Sequence, residues 1–389
     1  MRFRSTLIEF VKRKITYNKT NSYYENGENN DYSERIDRLI NNSVTAKQCA
    51  NIMAVFLVGK GFYNKNTFDL GGLSLIKFAH KVSYNLVRQR GVFIHFNYNL
   101  NYDKVSAKVI PFNHCRVGKK DSDKYNGKIG ICEDWNNSKS KNIKWIDIYN
   151  SNKEIIKYQI GINKDDDINI QKDKLRKYNG QILYVNLDDD YIYPLSTIDA
   201  VQNDCDSESQ ASIYKNRSLR KGFFGKTLIV TKPLIDAVQE HNPEEFKKQD
   251  GERRAFKKTV QSFIGAENNE GVLHIEMEFD DQLGIDKSIL FKSIETNIDD
   301  GMFEFTETSV SNNILFSFGI PKLLVKTNDS SIYGQGGDGI YQAKLFYQDQ
   351  TEQLRQSFIE IIKETVNGFK DFYGIIELEL LIKEKDVIN

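Results

Sequence analysis

The chain has 389 residues, enough for two or three subdomains around a real core. Its 54 basic and 54 acidic residues cancel, so no global field draws it to nucleic acid or a lipid headgroup, and any such contact has to be local. No apolar run reaches the ~18 residues of a membrane-spanning helix, and four cysteines without CxxC spacing (Cys49, Cys115, Cys132, Cys205) predict thiols in a reducing compartment.

Residues 1–14 read as a short basic amphipathic helix (Phe3, Leu7, Phe10, Val11) and lack the apolar core and cleavage site of a signal peptide. Residues 18–31 read as loop. One helix is predicted over 33–59, with Ile36, Leu39, Ile40, Cys49, Ile52, Met53, Phe56 and Leu57 at helical spacing and Gly59 as its stop. After a connector, residues 73–88 form a second helix. Gly91 then breaks into a strand in which Val92, Ile94, Phe96 and Tyr98 alternate with other residues. Further strands are predicted over 105–112, 129–132, 143–149 and 181–185, with the polar span 163–177 solvated. This half reads as α+β, a helix layer followed by an antiparallel meander.

A long helix is predicted over 193–224. Leu195, Ile198, Val201 and Cys205 anchor its start on one stripe, but Glu208, Ser209, Ser212 and Asn216 then occupy positions where a buried helix carries Leu or Ile. A helix polar all round bridges solvent or meets other chains. Its acids (Asp199, Asp204, Asp206, Glu208) precede its bases (Lys215, Arg217, Arg220, Lys221), an order that complements the helix dipole, and Gly222 supplies a left-handed stop. A strand over 226–231, an exposed helix over 244–264 opened by Pro243, and strands over 272–279 and 289–296 follow. A helix over 300–318, with Phe303, Val310, Ile314 and Phe318 on its stripe, is stopped by Pro321. The Ser/Gly segment 328–339 reads as flexible. A last helix runs over 340–367, and 377–383 forms a final strand or helix.

Candidate chemistry is sparse. Residues 222–227 (GFFGKT) place Arg220 where a phosphate loop needs its first glycine, after a helix and before a strand instead of the reverse, which argues against nucleotide binding. GQGGDG (334–339) follows loop, not strand, so a dinucleotide site is also disfavoured. His95, His114 and Cys115 have poor metal-ligand spacing and read as packing residues, as does His274. The acid runs 165–167 and 188–190 lack calcium-loop spacing and read as solvated. The strongest local charge feature is Lys247, Lys248, Arg253, Arg254, Lys257 and Lys258, with Phe246, Phe256, Val260 and Phe263 assigned to the core side. A solvated outer face accounts for it best; a docking surface for an acidic partner protein stays open. No set here calls for a catalytic residue, a metal or a cofactor, so the chain is expected not to be an enzyme.

Taken in order, these pieces resemble the portal proteins of tailed bacteriophages, nearest to the HK97-type portal family, from about residue 73 to 369. The resemblance rests on the segments 91–96 and 111–117, on the helix opened by Tyr193-Pro194 and closed by Arg220-Lys221-Gly222-Phe223, on the block FGIPKLLV with Phe318, Gly319, Ile320 and Pro321, and on YQAKLFYQDQTEQLRQSF (341–358). It departs from the family in its low proline content, five in all, with none in the late helix. The resemblance implies a ring-forming protomer: an N-terminal wing (1–192), a first stem helix (193–224), a small α/β clip (225–298), a second stem helix (299–321), a tunnel loop (322–340) and a C-terminal wing or crown helix (341–389).

It further implies a homo-oligomeric ring, usually dodecameric, at one capsid vertex of the virion, assembled in the host cytoplasm. Double-stranded DNA passes through the ring. Its partners are the terminase large subunit, a head-completion or adaptor protein, and the major capsid protein; no membrane is involved. Lys326, Asn328, Ser330, Ser331 and Gln335 would then face DNA in the channel, and the basic cluster on 244–264 would dock terminase or adaptor. A neutral conduit suits this role, because each neutralised phosphate would add salt-dependent affinity that slows passage. The competing readings are a non-enzymatic phage or host adaptor or scaffolding protein and, less favoured, a nucleic-acid-processing enzyme.

Overall fold

The computed structural model describes residues 16–119, 127–135, 142–188, 190–221, 226–231, 243–263, 272–276, 289–294, 300–325 and 338–382. The chain divides into two compact units, one made of Met1–Asp206 and Val310–Asn389, the other of Ser207–Ser309.

In the first unit a two-residue hairpin, β1 (Tyr17–Asn18) with β2 (Tyr23–Tyr24), stands where loop was expected. The helix predicted over 33–59 is two helices, α1 (Tyr32–Asn42) and α2 (Val44–Val58). Ser43 makes the break. Its backbone is extended and its side chain accepts a hydrogen bond from the Ala46 amide, so it caps α2 instead of continuing α1. β3 (Gly61–Phe62) follows, then α3 (Leu75–Gln89), which ends in left-handed Arg90.

The central sheet contains β4 (Gly91–Tyr98), β5 (Lys104–Ile110), β6 (Cys115–Val117), β7 (Lys128–Ile131), β8 (Lys144–Ile148) and β9 (Gln181–Asn186). Its order is β5-β4-β9-β8-β7-β6, with β8 and β9 parallel and the other neighbours antiparallel. This corrects the meander. Adjacent parallel strands need a crossover, and α4 (Lys153–Ile160) and α5 (Ile168–Lys177) supply it, α5 lying in the span expected to be solvated. α4 buries Ile156 and Ile160. α5 buries nothing and is defined by its cap, Asp167, whose carboxylate accepts from the Asn169 and Ile170 amides.

α6 (Gln202–Lys221) leads into the second unit, which holds β10 (Lys226–Thr231), α7 (Pro243–Phe263), β11 (Val272–Glu276) and β12 (Ile289–Ile294). The two later strands do not pair with each other; they flank β10, β11 parallel and β12 antiparallel to it. Helix α7 is the crossover that the parallel pair requires. α8 (Asp300–Ser317) returns the chain to the first unit.

There the helix predicted over 340–367 is again two, α9 (Asp338–Gln350) and α10 (Glu352–Val366). Between them the Thr351 hydroxyl donates to the Tyr347 and Gln348 carbonyls, and the Arg355 guanidinium also donates to Gln348. Side chains thus satisfy carbonyls at the irregular turn. β13 (Leu378–Glu379) closes antiparallel on β3.

Two cores organise this unit. One packs α3, β4, β5, α4 and α10 around Phe78, Phe96 and Phe358. The other packs α1, α2, the start of α6, the end of α8 and α9, with Ile36, Leu57, Cys205, Ile314 and Tyr347 fully or almost fully buried. The opposite sheet face buries Phe93, Phe112, Ile182 and Tyr193.

Candidate functional site

The helix expected from Tyr193 begins in the structure only at Gln202, after a single 3-10 turn at Asp199–Val201. Residues 193–198 are a strap, and the reason is local. Pro194 disfavours helical backbone at Tyr193, and the next polar side chains are engaged by α3. Ser196 Oγ donates to the Arg88 carbonyl at 2.5 Å and Thr197 Oγ1 to the Val87 carbonyl at 3.0 Å. These are orphan carbonyls of the last turn of α3. The Tyr193 hydroxyl donates to the Tyr24 carbonyl and accepts from the Val117 amide, both at 2.7 Å. Burial pushes that phenol above its ordinary range. Tyr32 fixes the far end, accepting from the Ser196 amide and donating to Asp199. The predicted stripe still finds the core: Ile198 and Cys205 are fully buried, and Leu195 and Val201 pack beside them.

Past Cys205, every described side chain of α6 is exposed or half-buried. α8 reaches the core through Val310, Ile314 and Leu315, while Phe316 stands 75% exposed. Asn313 on α8 approaches Asp204 on α6 at 3.5 Å, and Ser317 Oγ donates to the Thr197 carbonyl. After Phe318 the chain turns at Gly319, whose φ of 64° is left-handed. The Gly319 amide donates to Phe316 and the Ile320 amide to Leu315, which closes the helix before Pro321. A Cβ on Gly319 would lie 2.6 Å from Gln350 Nε2, the end of a side chain that can swing away, so it is the left-handed backbone that selects glycine.

On α7, Lys247, Lys248, Arg254 and Lys258 are exposed and Arg253 is half-buried; the Lys257 side chain lies outside the described residues. Arg254 pairs with Asp250 at 2.7 Å one turn away, with its side chain 80% exposed. Such a pair adds only ~0.3–0.5 kcal/mol. Gly222, Phe223, Lys326, Asn328, Ser330, Ser331 and Gln335 lie outside the described residues; of the two glycine-rich stretches only 226–227, which open β10, and 338–339, which open α9, are described.

Among the described residues no His/Cys/Asp/Glu group is placed to hold a metal ion. His95 Nε2 is 2.6 Å from the Asn179 carbonyl, and burial pulls this imidazole below its ordinary pKa. All four cysteines are buried thiols outside any disulfide. The first acid run serves local structure: Asp166 binds Lys174 and the Asn163 amide, and Asp167 caps α5.

Besides Arg355, two more buried cations, Lys104 and Arg116, escaped the sequence reading. Lys104 donates to the Glu364 and Thr365 carbonyls at the C-terminal end of α10, and its ammonium sits 4.2 Å from the Phe96 ring centroid and 4.6 Å from that of Tyr149. Burial pulls its pKa down to about 7, against the opposing pull of Glu364. Arg116, 2% exposed, donates to Asn30 Oδ1 and to the carbonyls of Asn30, Asn113 and Cys115, beneath the Trp135 ring. A lysine opening a strand whose next residue, Val105, faces outward is the only signal that precedes the first; the second has none at short range.

No family model matches the chain, and no curated protein does. Solved structures do. A chain in the neck of an empty gene transfer agent particle, computed with C6 symmetry, aligns with TM-score 0.51 and 12% identity over 90% of this chain and 84% of that one. A chain in the virion of a native gene transfer agent particle aligns with TM-score 0.49 and 12% identity over 89% and 83%. The class this defines is one of fold: an α+β protomer like a chain of the particle neck.

Proposed function

We propose that this chain is a portal protein of the HK97 type: a non-enzymatic, ring-forming head–tail connector at the capsid vertex of a phage-like virion. The observation that carries the reading is the extent of the likeness to the neck chain, which spans 90% of this chain and 84% of the other. The helix pair supports it. α6 has no buried residue among those described past Cys205, as befits a stem that meets sister subunits and a wet channel. Phe316 and Phe346, 75% and 62% exposed, offer apolar area for a neighbour in the ring.

In this assignment the ring, a dodecamer assembled in the host cytoplasm, conducts double-stranded DNA during packaging and ejection. Lys326, Asn328, Ser330, Ser331 and Gln335 face the lumen. The α7 cations, with Lys247, Lys248, Arg254 and Lys258 outward, dock the terminase large subunit and then the head-completion protein. The wing meets the major capsid protein. The deciding experiment is native mass spectrometry with negative-stain imaging of the purified chain. Closed rings are expected, and a stable monomer at micromolar concentration rejects the reading. Alanine at the five loop positions should lower the yield of DNA-filled particles while rings still form; unchanged yield removes those residues from the channel.

A further inference from the structure

Away from the helix pair, a cleft of about 520 Å³ opens between α1, α3 and the turn after β5, lined by Asp37, Lys81, Tyr84, Asn85, Arg88, Gln89, Val109, Pro111, Phe112 and Asn113. Its floor is apolar, with Phe112 buried and Val109 and Pro111 beside it. Its wall carries two cations, Lys81 and Arg88, against one carboxylate, Asp37. Arg88 Nη1 stands 3.6 Å from Asp37 Oδ1, well beyond the ~2.7–2.9 Å of a charge-assisted hydrogen bond. Arg88 Nε is buried and makes no hydrogen bond among the described residues. Burial pulls the Asp37 carboxyl above its ordinary range, against the opposing pull of Arg88 and Gln89.

The Arg88 guanidinium lies 5.8 Å from the Tyr84 ring centroid. A guanidinium whose ion pair is long, an exposed ammonium two turns away on the same helix (Lys81) and an aromatic and proline wall fit a carboxylate carried next to an apolar group.

We propose that this cleft is a docking site for an acidic segment of a partner protein, one Asp or Glu carboxylate on Arg88 and Lys81 and a neighbouring apolar side chain on Val109, Pro111 and Phe112. A nucleic-acid backbone fits it worse. Duplex binding is built from a track of several cations spaced along successive phosphates, and the cleft lining offers two, beside a carboxylate and an apolar wall. The site does not depend on the portal assignment, since all its residues belong to the first unit and none to the helix pair.

The test is fluorescence anisotropy with the full chain and a labelled Gly-Glu-Phe-Glu-Gly peptide, the Gln-for-Glu peptide as control, and a labelled single-stranded deoxyoligonucleotide. The acidic peptide should bind at least ~10-fold tighter than the control, a gap of about 1.4 kcal/mol, and should weaken as salt rises. Arg88→Gln should abolish the difference. Lys81→Ala, at an exposed position that leaves the fold alone, should reduce it several-fold. Equal binding of the two peptides, absence of binding up to millimolar peptide, or binding of the acidic peptide unaffected by Lys81→Ala overturns the proposal. Preferential binding of the oligonucleotide through Arg88 and Lys81 overturns it in favour of nucleic acid.

Discussion

Replacing Lys104 by Met separates the charge of a buried ammonium from the contacts it makes. In the folded chain burial holds Lys104 near 7, against an ordinary value of 10.5. The sign follows from proton counting. Below pH 7 both folded and unfolded states carry the proton, and stability does not change with pH on account of this group. Between 7 and 10.5 the unfolded state binds more protons, so stability rises with pH, by ~1.36 kcal/mol per pH unit at most. From pH 6 to pH 9.5 the wild type should therefore gain about 3 kcal/mol that Lys104→Met lacks. At pH 6 the loss of the two carbonyl contacts is offset by relief from burying a charge. At pH 9.5 no such relief exists, and the variant loses only contacts. Urea unfolding followed by tryptophan fluorescence is the assay, because both tryptophans, Trp135 and Trp145, belong to the first unit. A wild-type-minus-variant difference that is flat with pH would refute the reasoning. It would mean that the Phe96 and Tyr149 faces and the α10 carbonyls keep the ammonium charged throughout.

Other substitutions probe the strap and the turns. Gly319→Ala places a Cβ on a left-handed φ and should lower stability by ~1–2 kcal/mol in the same urea assay; an effect within ~0.5 kcal/mol would show that the turn relaxes without that strain. Tyr193→Phe leaves the Tyr24 carbonyl and the Val117 amide without their hydroxyl partner and should cost ~2 kcal/mol; Tyr24→Phe, which keeps the backbone acceptor, should leave that bond intact. Ser43→Ala removes the cap of α2 and should cost ~1 kcal/mol, read as a lowered thermal midpoint. Arg254→Ala on α7 should change stability by less than ~0.5 kcal/mol.

Where apolar spacing is regular, the sequence is a good guide. The helix over α3 and the strands β4, β7, β8 and β9 fall close to where periodicity places them. Three kinds of information were not legible. The helices break at Ser43, whose hydroxyl caps α2, and at the Thr351 turn, while their apolar stripes run on across both, so periodicity alone joins what the backbone divides. The parallel pairing of β8 with β9 depends on α4 and α5, whose polar faces carry little apolar signal. At Tyr193–Ile198 the stripe was right and the conformation wrong: Leu195 and Ile198 reach the core from an extended strap, because Ser196 and Thr197 hydrogen-bond the end of α3 instead of starting a helix. The cleft at Arg88 could not be read from sequence at all, since Asp37, Arg88 and Asn113 meet only through the packing of α1, α3 and the turn after β5.

The first unit is written in two pieces, Met1–Asp206 and Val310–Asn389, with Ser207–Ser309 between them. A ribosome that has finished the sheet has therefore made only part of what α1 and α2 pack against. Ile314, Leu315, Phe318 and Tyr347 arrive after the whole intervening unit has been translated. Until then the side of this core that those residues cover is open, so a nascent chain arrested inside the excursion exposes a sticky surface, and truncation products of this gene should be substrates for chaperones and proteases, not working fragments.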